Sequence, residues 1–127
     1  EGPETPGVGV GVGLERIIIM MKELGVEPPA PQTPEIFLAY LGQEPRKLCL
    51  ALMDQLRRAD VGVYVAMGQG RGLRSQLREA DKRGVRYTVI LGENELESGK
   101  ASVRDMASGD QVDVDLNLLV TWLRERV

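Results

Sequence analysis

The spacing of apolar positions changes several times along this chain, and each change marks an element. Ile36 to Leu41 is a short continuous apolar run, the pattern of a buried strand. After Glu44 and Pro45, residues Leu48, Ala51, Leu52, Leu56 and Ala59 recur three and four apart, which predicts a helix with that face inward and proline in its permissive first turn. Val61 to Met67 predicts a second strand, and Gly68-Gln69-Gly70-Arg71-Gly72 leads into a helix with Leu73, Leu77 and Ala80 inward and Gly84 at its end. Tyr87 to Leu91 predicts a third strand, followed by an acidic turn that opens a short helix stopped at Gly99. Lys100 to Met106 and Gln111 to Asp115 flank Ala107-Ser108-Gly109-Asp110, a composition suited to a hairpin turn. Leu116 to Val127 predicts a closing helix, with Leu119, Trp122 and Leu123 on one face and Asp115 as N-cap. Alternating strands and helices favour parallel pairing with right-handed crossovers. The expected architecture is α/β, with a five-stranded mixed sheet flanked by about three helices.

Residues 1–26 are expected to form a unit of their own. Gly7 to Gly13 alternates Gly with Val, as a strand does when one face admits very close neighbours, and Leu14 to Leu24 predicts a helix that stops at Gly25. Residues 27–34 contain four prolines in eight, the composition of an extended, semi-rigid linker, and residues 35–127 follow as the main domain. The glycines do not make a dinucleotide loop, because they lie within the strand pattern and not between a strand and a helix start. Ile17 to Met21 presents an apolar surface that should seek a partner.

Composition narrows the chemistry. No apolar run among the 127 residues approaches the roughly 18 needed to span a bilayer, and the N-terminal residues, with Glu1 and Glu4, do not form a signal peptide. A cytoplasmic setting without a membrane partner is expected. Cys49 is the only cysteine, which excludes an intrachain disulfide and argues against a thiolate metal site. Histidine is absent, which removes the commonest general base and metal ligand and argues against catalysis by this chain alone. Net charge is −3, yet Arg46 to Arg86 holds ten Lys and Arg against four Asp and Glu, so +6 lies there and −9 in the remainder. An acidic chain can thus carry one basic face suited to an anionic polymer.

Two groups of side chains fit that partner. Arg71, Arg74, Arg78 and Lys82 are spaced to share one face of the second long helix, either as a solvated stripe or as a track for an RNA backbone. Glu95 and Arg104 fall near one end of the sheet. A carboxylate accepts from base amino groups and a guanidinium donates in a fork to acceptor edges, so the pair suits unstacked bases; the alternative is an ordinary ion pair. Aromatic content is only 4%, and Tyr40, near a strand end, is the best stacking candidate.

The run Glu95-x-x-Ser98-Gly99-Lys100-x-x-x-Arg104 and the preceding Gly84 to Gly92 resemble the anticodon-binding domain of class IIa aminoacyl-tRNA synthetases, the histidyl family above all; Arg71 to Gly84 is similar to that family as well. In the threonyl relatives the matching Glu and Arg contact anticodon bases, so the resemblance implies that role for Glu95 and Arg104. Gly9 to Arg16 resembles class II motif 3, whose arginine contacts the triphosphate of ATP, so Arg16 would inherit that contact in an intact enzyme. Nothing resembles the other two class II motifs. The resemblance therefore implies a C-terminal portion: residues 1–26 a remnant of the catalytic domain, 27–34 a linker, and 35–127 a three-layer anticodon-binding domain. This portion is expected to bind the tRNA anticodon stem-loop, to hold no cofactor and to be inactive alone. The intact homodimeric enzyme, with its catalytic domain, would use ATP and magnesium to charge tRNA with histidine. Two alternatives stay open: a synthetase-like regulator without aminoacylation, such as an ATP phosphoribosyltransferase regulatory subunit or a stress-sensing domain, and a flavodoxin-like small-molecule binder.

Overall fold

Strand β1 (Ile36–Tyr40) lies between two parallel neighbours in the computed structural model, which describes residues 2–28, 33–66, 68 and 70–127. β2 (Val63–Val65) places Tyr64 beside Phe37, and β3 (Tyr87–Leu91) places Thr88 beside Phe37 on the other edge. Every residue of β1 and β3 is buried, which is why both strands are continuous apolar runs with covered faces on either side. β4 (Lys100–Asp105) and β5 (Gln111–Asp115) follow as an antiparallel hairpin, giving the order β2-β1-β3-β4-β5. The expected five-stranded mixed sheet is present.

The described residues form five helices: α1 (Leu14–Glu23), α2 (Gln43–Arg58), α3 (Leu73–Arg83), α4 (Glu93–Ser98) and α5 (Leu119–Arg124). Two units divide the chain, Glu1–Pro31 with α1 and Gln32–Val127 with the sheet. Alternation along the strands assigns the layers of the second unit. Phe37 packs on Tyr64 with centroids 5.5 Å apart, and Arg83 of α3 lies 3.4 Å over the Tyr64 ring, so α3 covers that face. On the opposite face Tyr87 meets Trp122 of α5 edge-on at 5.7 Å, and α2 packs against α5 and β1.

Several elements depart from expectation. Gly7 to Gly13 has no regular structure and is exposed. A strand needs a partner for its backbone groups, and the described residues of its unit supply none. The inward stripe of α2 is Pro45, Cys49, Leu52 and Leu56; Ala51 is exposed and Leu48 and Ala59 are half-buried, because Pro45 itself enters the core and rotates the buried face. Asp115 does not cap the last helix. Its Oδ1 accepts from the Asn117 N–H at 2.8 Å, closing a turn after β5, and α5 begins later, at Leu119, without a side-chain cap. Among the described residues of the predicted second strand only Val63–Val65 pair as β2, although Ala66 N–H still donates to Leu38 C=O at 3.0 Å. Met67 and Gln69 of the following segment, and residues 29–32 of the linker, lie outside the described residues.

Candidate nucleic-acid interface

The carboxyl end of β3 leads to Glu95, whereas Arg104 lies across from Thr88 near the amino end of β3, so the two do not share one end of the sheet as expected, because β4 runs antiparallel to β3. β3 ends at Leu91, and Gly92 turns the chain into α4, whose third residue is Glu95. Glu95 folds back so that Oε2 accepts the Gly92 N–H at 2.8 Å, which satisfies an otherwise unpaired amide at the helix start. A Cβ on Gly92 would stand 2.8 Å from that oxygen, so glycine is what allows the carboxylate this close. Arg104 is set by strand register: it lies across from Thr88 on β3 and Gln111 on β5. Glu95 and Arg104 line one groove of about 510 Å³, with Ile90 and Ser102 from the sheet and Leu73 and Leu77 from α3.

The two side chains are not an ion pair. Among the described residues Arg104 makes no salt bridge or side-chain hydrogen bond, while Glu95 is held by Gly92. A guanidinium with its donors uncommitted, its Nη2 3.6 Å from where a Cβ on Gly109 would stand, and a carboxylate with one oxygen fixed and one open thus line the same groove. Gln111 joins them: its Nε2 donates to Ser102 Oγ at 2.6 Å and it lines the same groove. Only the hairpin register places it there, and the sequence pattern carried no signal for it.

The basic stripe is shorter than four. Arg74, Arg78 and Lys82 are exposed on α3. Arg71 precedes the helix, pairs with Glu79 and donates to Ser75 Oγ at 3.1 Å. Arg83 reaches the same carboxylate at 2.9 Å. Burial opposes ionisation of Glu79, but hydrogen bonds and charge from Arg71 and Arg83 outweigh it and hold the pKa below the ordinary carboxylate value. Arg71 is thereby a structural cation first.

Tyr40 does not offer a stacking face. Its residue is 7% exposed and its hydroxyl donates to Gly68 C=O at 3.0 Å. Its backbone is held by Gln76, a buried polar residue that the apolar spacing of α3 gave no reason to single out. Tyr40 N–H donates to Gln76 Oε1 at 3.0 Å, and Gln76 Nε2 donates to Tyr40 C=O at 2.7 Å and to Arg71 C=O at 2.9 Å. Arg16 is exposed on α1. Burial pushes the Cys49 thiol up to about 12, which keeps it protonated and unreactive. Among the described residues no group of three acidic, cysteine or histidine side chains could hold a metal, and no helix is long and apolar enough to cross a membrane.

Sheet, groove and basic helix together define a small α/β binding domain whose exposed chemistry is donor and acceptor groups. Residues 35–126 match the family model described as an anticodon binding domain, and the chain belongs to that family. Histidine–tRNA ligase of Pelotomaculum thermopropionicum is 42% identical over 129 residues, covering 99% of this chain and 29% of the relative. The ligase of Dehalococcoides mccartyi strain 195 is 36% identical over 126 residues, covering 99% and 30%. The chain thus spans about 30% of the length of the relatives it matches. Among solved structures, histidyl-tRNA synthetase from Nostoc sp. PCC 7120 superposes with a TM-score of 0.68 at 31% identity, covering 91% of this chain and 28% of that one. Prolyl-tRNA synthetase from Cryptosporidium parvum, at 14% identity and TM-score 0.67 over 73% of this chain and 20% of that one, shares the fold.

Proposed function

We propose that this chain is the anticodon-binding portion of a histidine–tRNA ligase and that its groove reads bases of the histidine anticodon. The observation that carries this is the convergence of Glu95 and Arg104 on one groove without pairing to each other. An unstacked base entering it meets the Arg104 fork, which donates to acceptor edges, and the free oxygen of Glu95, which accepts from an amino group. The Gly92 amide fixes the orientation of that carboxylate before the base arrives, so little ordering is left for binding to supply. Arg74, Arg78 and Lys82 add sequence-independent attraction to the phosphate backbone. Tyr40 contributes by holding Gly68 through its hydroxyl, and Arg71 by its pairing with Glu79 and Ser75 of α3.

The domain reading follows the same line: residues 1–26 belong with a catalytic domain, 27–34 link, and 35–127 bind the anticodon stem-loop. The whole protein would activate histidine with ATP and magnesium as a cytoplasmic homodimer. The residues described here do not make that site. Arg16 is a single exposed guanidinium, suited to a triphosphate but accompanied by no cluster of metal-binding carboxylates among the described residues, so no catalytic step is assigned to this chain. The relatives are ligases, which favours this reading over a regulatory subunit without aminoacylation.

Stem-loops that differ at single anticodon positions, titrated at one salt concentration, test the proposal. Arg104→Ala should reduce discrimination at one position by about 1–3 kcal/mol, the range for a bidentate base contact. Glu95→Gln keeps an oxygen for Gly92 and turns the other arm into a donor, so it should change which base is preferred more than total affinity. Equal losses on every loop, or none, would return the pair to a structural role.

A further inference from the structure

The groove that holds Glu95 and Arg104 continues past Leu41. Leu41 is 41% exposed and also borders a second cleft of about 400 Å³, lined by Arg46 on the α2 side and by Gly70, Arg71 and Gly72 opposite. The far wall of this cleft is built. Tyr40 Oη donates to Gly68 C=O and Gln76 Nε2 to Arg71 C=O, which ties the glycine-rich turn to the sheet end. Its described lining holds two guanidiniums and no carboxylate. Arg71 is committed to Glu79 and Ser75, whereas Arg46 is exposed and makes no ion pair among the described residues. On the other side of Leu41 the first groove holds two carboxylates, Glu93 and Glu95, against one guanidinium, Arg104. With Arg104 given to a base edge, the carboxylates leave that groove unfavourable for a phosphodiester, and the cleft across Leu41, with Arg46 and no carboxylate in its described lining, favours it.

We infer that Arg46 holds the phosphodiester backbone of the same unstacked RNA loop, across Leu41 from the base that Glu95 and Arg104 contact. The inference rests on the anticodon-binding reading and adds a positioning residue to it. Arg46 sets the register of the strand and carries no base preference of its own. The two sites share Leu41, so adjacent groups of one unstacked strand can occupy them.

The full 127-residue chain is titrated with the histidine-anticodon stem-loop and with loops carrying one uncharged methylphosphonate linkage at each anticodon phosphodiester in turn. Wild type should lose roughly two- to fivefold in affinity at one linkage, the size of an exposed charge contact. Arg46→Gln should lose as much on the unmodified loop, become insensitive to that linkage, and flatten the salt dependence by about 0.7 units, the value for one single-strand phosphate. Arg46→Lys should restore both charge sensitivity and slope. Arg46→Gln binding like wild type, or remaining sensitive at every linkage to which wild type responds, overturns the inference. Failure of the anticodon reading is seen separately, as wild type binding all loop sequences alike with Arg104→Ala unchanged.

Discussion

Gln76 grips the backbone of Tyr40 at both its N–H and its C=O, at 3.0 and 2.7 Å, and so takes the place of a strand. Among the described residues β2 follows β1 as far as Ala66, whose N–H reaches Leu38 C=O. Among the described residues the Tyr40 groups that point to the same edge have no strand partner, in a position that is buried. The primary amide of Gln76 has one acceptor and two donors, and its second donor takes Arg71 C=O. One side chain therefore fastens the Arg71 carbonyl, just before α3, to the end of β1.

Gln76→Leu should consequently destabilise the domain by about 2–4 kcal/mol, because it leaves three buried or half-buried backbone groups unsatisfied while preserving volume. Gln76→Glu should cost a similar amount by setting a carboxylate against the Tyr40 carbonyl. Urea denaturation followed by the fluorescence of Trp122 measures both; a shift in midpoint below about 0.5 kcal/mol equivalent would mean that water replaces the amide.

Glu79 gives the acid limb of stability a sign. Its folded pKa lies below the ordinary value near 4.5, so its contribution is present above the unfolded pKa and lost as pH falls through the folded one. Glu79→Gln should lower stability at neutral pH by on the order of 1 kcal/mol, given that all three partners keep some solvent contact. The gap between variant and wild type should close as the pH drops below 4.5. Thermal melts across that range check it, and a gap independent of pH would assign the effect to packing instead.

The order of elements was legible because β1 and β3 are buried on both faces and the long helices keep regular apolar spacing. Glu95 and Arg104 were legible as residue types, and the motif spacing carried them to one groove. What escaped depends on pairings between distant segments. Gln76 looks like a surface residue until β2 is seen to end at Val65, Arg71 looks like part of a stripe until Glu79 and Arg83 close a network, and Tyr40 looks like a stacking platform until Gly68 receives its hydroxyl. The Gly7 to Gly13 alternation misleads in the other direction, since a period of two supplies a strand pattern but not the neighbour that a strand requires.

The exposed cations of α3 should act without regard to sequence. Replacing Arg74 and Arg78 together with Gln should weaken cognate and noncognate stem-loops alike and flatten the salt dependence by about one to two units. The fold should be undisturbed, because both side chains are exposed. Affinity and slope equal to wild type would make the stripe a solvated face.

Gly92→Ala separates the structural role of Glu95 from the recognition role proposed for it. The φ of Gly92 is −123°, which any residue adopts, so alanine brings no backbone strain. Its methyl group would nonetheless stand 2.8 Å from Glu95 Oε2, and the carboxylate must swing away from the amide it caps. Loss of that bond should cost about 1 kcal/mol of stability, in the range of a lost helix cap. More tellingly, the displaced carboxylate no longer points into the groove in its fixed orientation. Discrimination at the anticodon position that responds to Glu95→Gln should therefore fall in Gly92→Ala as well, although residue 92 offers a base no side-chain donor or acceptor in either form. Binding through the α3 cations should persist, so nonspecific affinity and its salt slope should match wild type. If Gly92→Ala lost stability while keeping full base discrimination, the orientation of Glu95 by the Gly92 amide would be a matter of helix capping alone.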